Sequence, residues 1–145
     1  MENILLEQIK ALTNKDLPLI TNLSNASAVL NQLENINWCG FYLAKDEMLY
    51  LGPFQGEPAC TAIPFGKGVC GTAAKEKKTI IVSDVNKFEG HIACSALSKS
   101  EIVVPIIKDN TVVGVIDLDA PVINRFNKTH ALELESISAL LSKLF

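Results

Sequence analysis

Apolar residues along the chain change their spacing near Ile36. Upstream they recur every three or four positions, and downstream they recur, over long stretches, every second position. Leu5, Ile9 and Leu12 fall on one face of a helix over 3–12. The polar stretch 14–18 breaks that period, with Asp16 as the expected cap and Pro18 in the first turn of the next helix. Leu19, Leu23, Ala26, Leu30 and Leu33 then predict an amphipathic helix to about Asn35. Ser24, Asn25 and Ser27 are weak helix formers, so packing must hold it in place. The period of two predicts strands over 36–44 and 48–54, closed around Lys45-Asp46-Glu47. A further extended piece follows at 59–64, and a brief strand at 79–82. The strongest strand pair, 102–107 and 111–118, turns at Lys108-Asp109-Asn110. Gly66-Lys-Gly-Val-Cys-Gly-Thr-Ala-Ala reads as a glycine turn opening a short crossover helix. Asn127 caps a terminal helix whose stripe is Leu134, Ile137, Leu141 and Leu144. Residues 83–100 carry few apolar anchors and read as a long loop, a feature usually tied to function. The sum is an α+β architecture: one domain over 1–145, a mainly antiparallel central sheet, and N- and C-terminal helices on one face.

Composition narrows the function. A chain of 145 residues that is 48% hydrophobic can build one ample core. Its net charge of -3 is evenly mixed, with no basic stripe to grip nucleic acid. The first residues lack a basic start and a small-residue cleavage site, and no apolar run is long enough to span a bilayer. A soluble cytoplasmic protein is the expectation.

That setting gives meaning to Cys39, Cys60, Cys70 and Cys94. In a reducing compartment, cysteines are buried spectators, metal ligands or reactive thiols. Cys70 lies at an expected helix N-terminus, where the macrodipole favours a thiolate. Cys94 lies in the long loop, three residues after His91. Cys60, Cys70 and Cys94 with His91 match the ligand types of structural zinc, but no close Cys pair supports that reading. Cys39 alternates with Phe41 and Leu43 on one strand face and reads as core.

Trp38 and Tyr42 share the opposite strand face across Gly40, either as core or as a pocket wall for a methyl or thioether group. Asp117 and Asp119 end an apolar strand and, two residues apart, point the same way. Carboxylates crowded on a buried surface repel, so one of them should retain a proton near neutral pH. Glu101 opens the neighbouring strand and can add a third acid.

Several runs resemble one family closely. They are Gly52-Pro-Phe-Gln-Gly, Ile63-Pro-Phe-Gly-Lys-Gly-Val-Cys-Gly-Thr-Ala, Gly90-His-Ile-Ala-Cys, Ser98-Lys-Ser-Glu-Ile-Val-Val-Pro and Gly114-Val-Ile-Asp-Leu-Asp. Asn37-Trp-Cys-Gly-Phe-Tyr extends the match upstream. Together they are similar to the GAF-fold free methionine-R-sulfoxide reductases over nearly the whole chain. The resemblance implies reduction of free L-methionine (R)-S-oxide to methionine, reset by thioredoxin or a similar dithiol, with no metal or organic cofactor. It implies Cys94 as the attacking thiol, Cys60 as its disulfide partner and Cys70 as a further recycling thiol. Trp38 and Tyr42 are implied as the methyl pocket, and Glu101, Asp117 and Asp119 as the acids that hold the oxygen and the amino group. A homodimer is compatible with it. The chain departs from the family pattern at Cys39, Ser95 and Ala120. The rival expectation is a non-enzymatic GAF module sensing a small ligand or redox state. Such modules usually regulate an attached effector, for which a chain of this length leaves no room.

Overall fold

The computed structural model describes residues 3–92 and 96–145. Six strands form one antiparallel sheet in the order β3-β2-β1-β6-β5-β4. In chain order the elements are α1 (Ile4–Leu12), α2 (Leu19–Leu30), β1 (Trp38–Lys45), β2 (Met48–Gln55) and β3 (Ala62–Pro64). They continue with α3 (Gly68–Glu76), β4 (Ile80–Val82), β5 (Ser100–Lys108), β6 (Thr111–Ala120) and α4 (Lys128–Ser142). One 3₁₀ turn, Val85–Lys87, interrupts the loop before β5.

The alternation in β1 sorts its side chains onto two cores. Cys39 and Phe41 face a core built with α1, α2 and α4, including Ile9, Leu23, Leu30, Ile116, Leu118 and Ile137. Trp38 and Tyr42 face the other core, with Val103, Val115, Ile63 and the residues of α3. The terminal helices therefore share one face of the sheet, as expected. The crossover helix α3 covers the opposite face, so the sheet lies between two helical layers.

Local chemistry explains the boundaries. Asn127 caps α4 through its side chain, which accepts from the backbone of Thr129 and His130. His130 Nδ1 in turn accepts from the Asn127 N–H at 3.1 Å, completing a reciprocal cap. Asp16 does not cap α2: its N–H donates to Asn14 Oδ1 in a local turn, and Pro18 occupies the cap position without a side-chain bond. That helix also stops at Leu30, short of Asn35, because Asn31 to Asn35 break into turns and Asn35 adopts positive φ. The two tight hairpins turn on paired positive-φ residues, Asp46-Glu47 and Asp109-Asn110.

Gly71 sets how closely α3 approaches the sheet edge. A Cβ there would lie 2.4 Å from the Pro64 carbonyl oxygen, so only glycine allows this contact. The close approach fixes α3, and with it Cys70, over the end of the sheet where β5 and β6 carry their acids.

Candidate functional site

Register brings the acids together. Glu101 on β5 pairs with Asp119 on β6, and Val103 with Asp117, so all three carboxyls project from the α3 face at one end of the sheet. On the other side of β6, Trp38 pairs with Asp119 and Gly40 with Asp117. Trp38, Tyr42, Cys70, Glu101, Asp117 and Asp119 line a single cavity of about 40 Å³. His91, Ile92, Ser98, Lys67 and the segment Pro58-Ala59 complete its wall.

The aromatic wall is stacked and tied down. The ring centroids of Trp38 and Tyr42 lie 6.1 Å apart, and those of Trp38 and Phe54 5.3 Å apart with nearly parallel planes. Each aromatic also spends its polar handle on the segment that leads to Cys60. Trp38 Nε1 donates to the Glu57 carbonyl at 3.1 Å, and the Tyr42 hydroxyl donates to the Cys60 carbonyl at 2.8 Å. The same two residues thus form the apolar wall and hold the Cys60 backbone against the cavity rim.

The acids are buried and crowded, and both conditions favour protons. Glu101 and Asp117 are 6% and 5% exposed. Burial and the neighbouring Asp119 push the Glu101 carboxyl up to about 8. Burial raises Asp117 well above the carboxylate range, with Glu101 adding to the shift, and burial with Asp117 does the same to Asp119. Glu101 therefore retains its proton near neutral pH, and Asp117 and Asp119, the pair the strand pattern crowds together, hold theirs more firmly than free carboxyls do.

Cys70 behaves differently from the thiolate anticipated at a helix N-terminus. It is 4% exposed, and burial followed by the charge of Asp117 raises its thiol well above the ordinary value. Its S–H donates to Asp117. A half-charge at the end of a helix does not offset desolvation in an acid-lined cavity. Cys70 is a free thiol held neutral.

His91 reaches the cluster, with Nε2 3.6 Å from Glu101 Oε1. Burial lowers its proton affinity, so it stands beside the acids as a neutral imidazole. Among the described residues, Cys70 Sγ and carboxylate oxygens of Glu101 and Asp117 lie within 4.8 Å of one another. This set differs from the Cys₃His zinc pattern considered for the sequence, and a cation entering it would have to displace the protons that now join these groups.

Cys39 lies in the core on the opposite side, fully buried, with burial holding its thiol up at about 12. Ala120 is also buried in that opposite core, so its departure from the family pattern does not border the cavity. Cys94 and Ser95 lie outside the described residues. Ser98 and Lys67 line the cavity but went unselected in the sequence, because loop and turn residues carry no periodicity to mark them.

Proton retention has a measurable consequence. In the unfolded chain Glu101 releases its proton near its ordinary value, 4.5, whereas the folded protein holds it to about 8. Between those limits the native state binds more protons, so stability falls as pH rises, by about 1.4 kcal/mol per pH unit for each such group. Asp117 and Asp119 are shifted in the same direction and steepen the fall. Urea denaturation at pH 5 and pH 8 should give the higher midpoint at pH 5. A midpoint that is flat or higher at pH 8 would mean that the acids are ionised in the fold.

Known proteins share this sequence and fold. The model of the GAF domain family matches residues 25–144. Protein YtsP of Bacillus subtilis (strain 168) is 51% identical over 143 residues, covering 97% of this chain and 88% of that protein. The free methionine-R-sulfoxide reductase of Escherichia coli (strain K12) is 45% identical over 135 residues, covering 92% of this chain and 82% of that enzyme. The reduced form of the Staphylococcus aureus fRMsr superposes with a TM-score of 0.93 at 51% identity, covering 98% of this chain and 94% of that one. Similarity of this extent, over most of the length on both sides, means that the chain belongs to the GAF-domain family of free methionine-R-sulfoxide reductases.

Proposed function

We propose that this protein reduces free L-methionine (R)-S-oxide to L-methionine. The observation that carries the proposal is the cavity itself, in which protonated acids face a stacked tryptophan and tyrosine wall. A sulfoxide has an apolar methyl end and a basic oxygen, and the two sides of this cavity match them. The methyl group packs on Trp38 and Tyr42, and Glu101 and Asp117 supply protons to the oxygen. Asp119 takes the amino group. No side chain caps the N-terminus of α3, where Lys67, Gly68 and Val69 meet the cavity and suit the substrate's carboxylate.

The reaction starts with Cys94, the attacking thiol by family resemblance. Its thiolate attacks the sulfoxide sulfur to form a transient S–S bond while the acids protonate the oxygen. The oxygen then migrates to Cys94 as the S–S and the substrate's S–O bonds break, so that Cys94 is oxidised by two electrons to a sulfenic acid and methionine, reduced by two, leaves. The Cys60 thiol condenses with the sulfenic acid, forming a disulfide and releasing water. A dithiol such as thioredoxin then exchanges with that disulfide and restores both thiols. Cys70, neutral and bonded to Asp117, serves in this scheme as a reserve thiol, with a homodimer as the working assembly and the cytoplasm as its setting. Among the described residues, no helix is long and apolar enough to cross a membrane.

With thioredoxin, thioredoxin reductase and NADPH, the protein should consume NADPH on free methionine-R-sulfoxide and leave the S epimer untouched. Absence of turnover on the R epimer would favour the ligand-sensing alternative.

A further inference from the structure

The cavity gathers more ligand chemistry than the reduction of a sulfoxide uses. Cys70 Sγ and one carboxylate oxygen from each of Glu101 and Asp117 lie within 4.8 Å of one another. The three side chains are buried and line the cavity together. His91 Nε2 stands 3.6 Å from Glu101 Oε1. That spacing is close to the edge, about 3.4 Å, of a tetrahedron with the leg lengths of zinc to nitrogen and oxygen. Asp117 Oδ1 points to a ligand independently. It is buried, belongs to a side chain that lines the cavity, and has no hydrogen-bond partner. Buried polar atoms ordinarily find one, and a cation in the cavity would supply it.

We propose that Cys70, Glu101, Asp117 and His91 form a zinc site, and that a zinc ion seated there shuts the cavity to the sulfoxide. The second half rests on the reading of the cavity as a methionine sulfoxide site. The donor set selects the metal: a thiolate, an imidazole and two carboxylates suit zinc, whereas magnesium and calcium take about six or more oxygens. The fold brings the donors together from three directions. Glu101 and Asp117 face each other diagonally across the β5–β6 ladder, and Gly71 seats α3 so that Cys70 lies over them. His91 approaches from the loop, its N–H donating to the Phe88 carbonyl at 3.3 Å. Binding exchanges protons for the ion. The Cys70 S–H donates to Asp117, and Asp117 and Glu101 share a further hydrogen bond. Zinc takes Cys70 as a thiolate and both acids as carboxylates, and their protons leave to solvent. His91 stands beside the acids as a neutral imidazole, the form that ligates a metal. The ion then holds the two acids that would protonate the sulfoxide oxygen, so zinc binding and reduction exclude each other. Zinc acts here as a reversible brake, not as a cofactor.

Spectroscopy reads the site without turnover. In the double variant Cys60→Ser, Cys94→Ser the remaining cysteines are Cys70 and Cys39, the latter in the opposite core. Cobalt(II), the spectroscopic substitute for zinc, should bind that protein with a near-ultraviolet thiolate-to-cobalt charge-transfer band and the strong visible bands of four-coordination. Zinc should bleach both. Adding Cys70→Ser should abolish the charge-transfer band. Adding Asp117→Asn, which keeps the shape of the side chain, should weaken zinc binding by about a hundredfold, since even an outer partner of a metal site is worth about 10–100-fold. Absence of the charge-transfer band in the double variant overturns the proposal, and so does a zinc affinity that Asp117→Asn leaves unchanged. In the reduced wild-type protein, single-turnover formation of methionine should be half-inhibited at the free zinc concentration that half-fills the double variant, and a chelator should restore it. Methionine formed as fast by the zinc-loaded protein overturns the blocking role. If the metal-free wild type forms no methionine while the cobalt band is present, the sulfoxide reading fails and the zinc site stands.

Discussion

Cys94→Ser is expected to lower steady-state reduction of methionine-R-sulfoxide by about a thousandfold or more, the scale of losing a nucleophile with no substitute. The variant also discriminates between thiols, because Cys70 remains in the cavity with an intact acid partner. If Cys70 were the attacking group, Cys94→Ser would retain a first turnover, seen as one methionine per enzyme in a single-turnover assay. The structure argues against that outcome. The Cys70 thiol is buried, donates to Asp117 and is held neutral, so little thiolate is present to attack. Cys60→Ser makes the complementary test. It should release one equivalent of methionine in a burst and then stall under thioredoxin, with a sulfenic acid trappable by dimedone. Steady turnover in Cys60→Ser would transfer the resolving role to Cys70. The backbone of Cys60 is well placed for the task, since Tyr42 holds its carbonyl at 2.8 Å and Trp38 holds Glu57 beside it.

Much of this site was legible in the sequence because it lies on strands. Alternation alone put Trp38 and Tyr42 on one face and Cys39 on the other, and the two cores divide them in that way. Asp117 and Asp119 were readable as a same-face pair for the same reason, and Glu101 became their neighbour once β5 and β6 were recognised as a hairpin. What pattern did not supply was the third dimension of the turns and loops. The close seating of α3 on the far face depends on the contact of Gly71 with Pro64, a distance that no period encodes. The state of Cys70 was misjudged because its place in a helix was visible and its burial against Asp117 was not. Asp16 had the residue type of a cap, but Asn14 captured its backbone first. Ser98 and Asn37 are far apart in sequence, and only the fold joins them, the Asn37 side chain donating to Ser98 Oγ and its backbone N–H to the Asp119 carbonyl.

Asp117→Asn separates catalysis from stability, and the two should move in opposite directions. Asp117 is deeply buried, has one carboxyl oxygen without a partner, and bonds both Cys70 and Glu101. An amide keeps the size of the side chain but cannot deliver a carboxyl proton to a departing oxygen. Loss of a general acid of this kind costs about 10²–10⁴-fold, so kcat/KM should fall within that range. The fold should gain, because the amide removes one of the groups whose ionisation the interior resists. At pH 8 the variant should melt above the wild type, and near pH 4 and below, where Asp117 is largely protonated in the unfolded chain as well as in the fold, the two should nearly coincide. The decline in stability between those pH values should become shallower by about one proton's worth, 1.4 kcal/mol per pH unit. Equal melting of the two proteins at pH 8, with activity lost, would place the charge of Asp117 in solvent or in a permanent ion pair. An inactive variant that is more stable than its parent would show that this fold tolerates crowded, buried acids because the reaction needs the protons they hold.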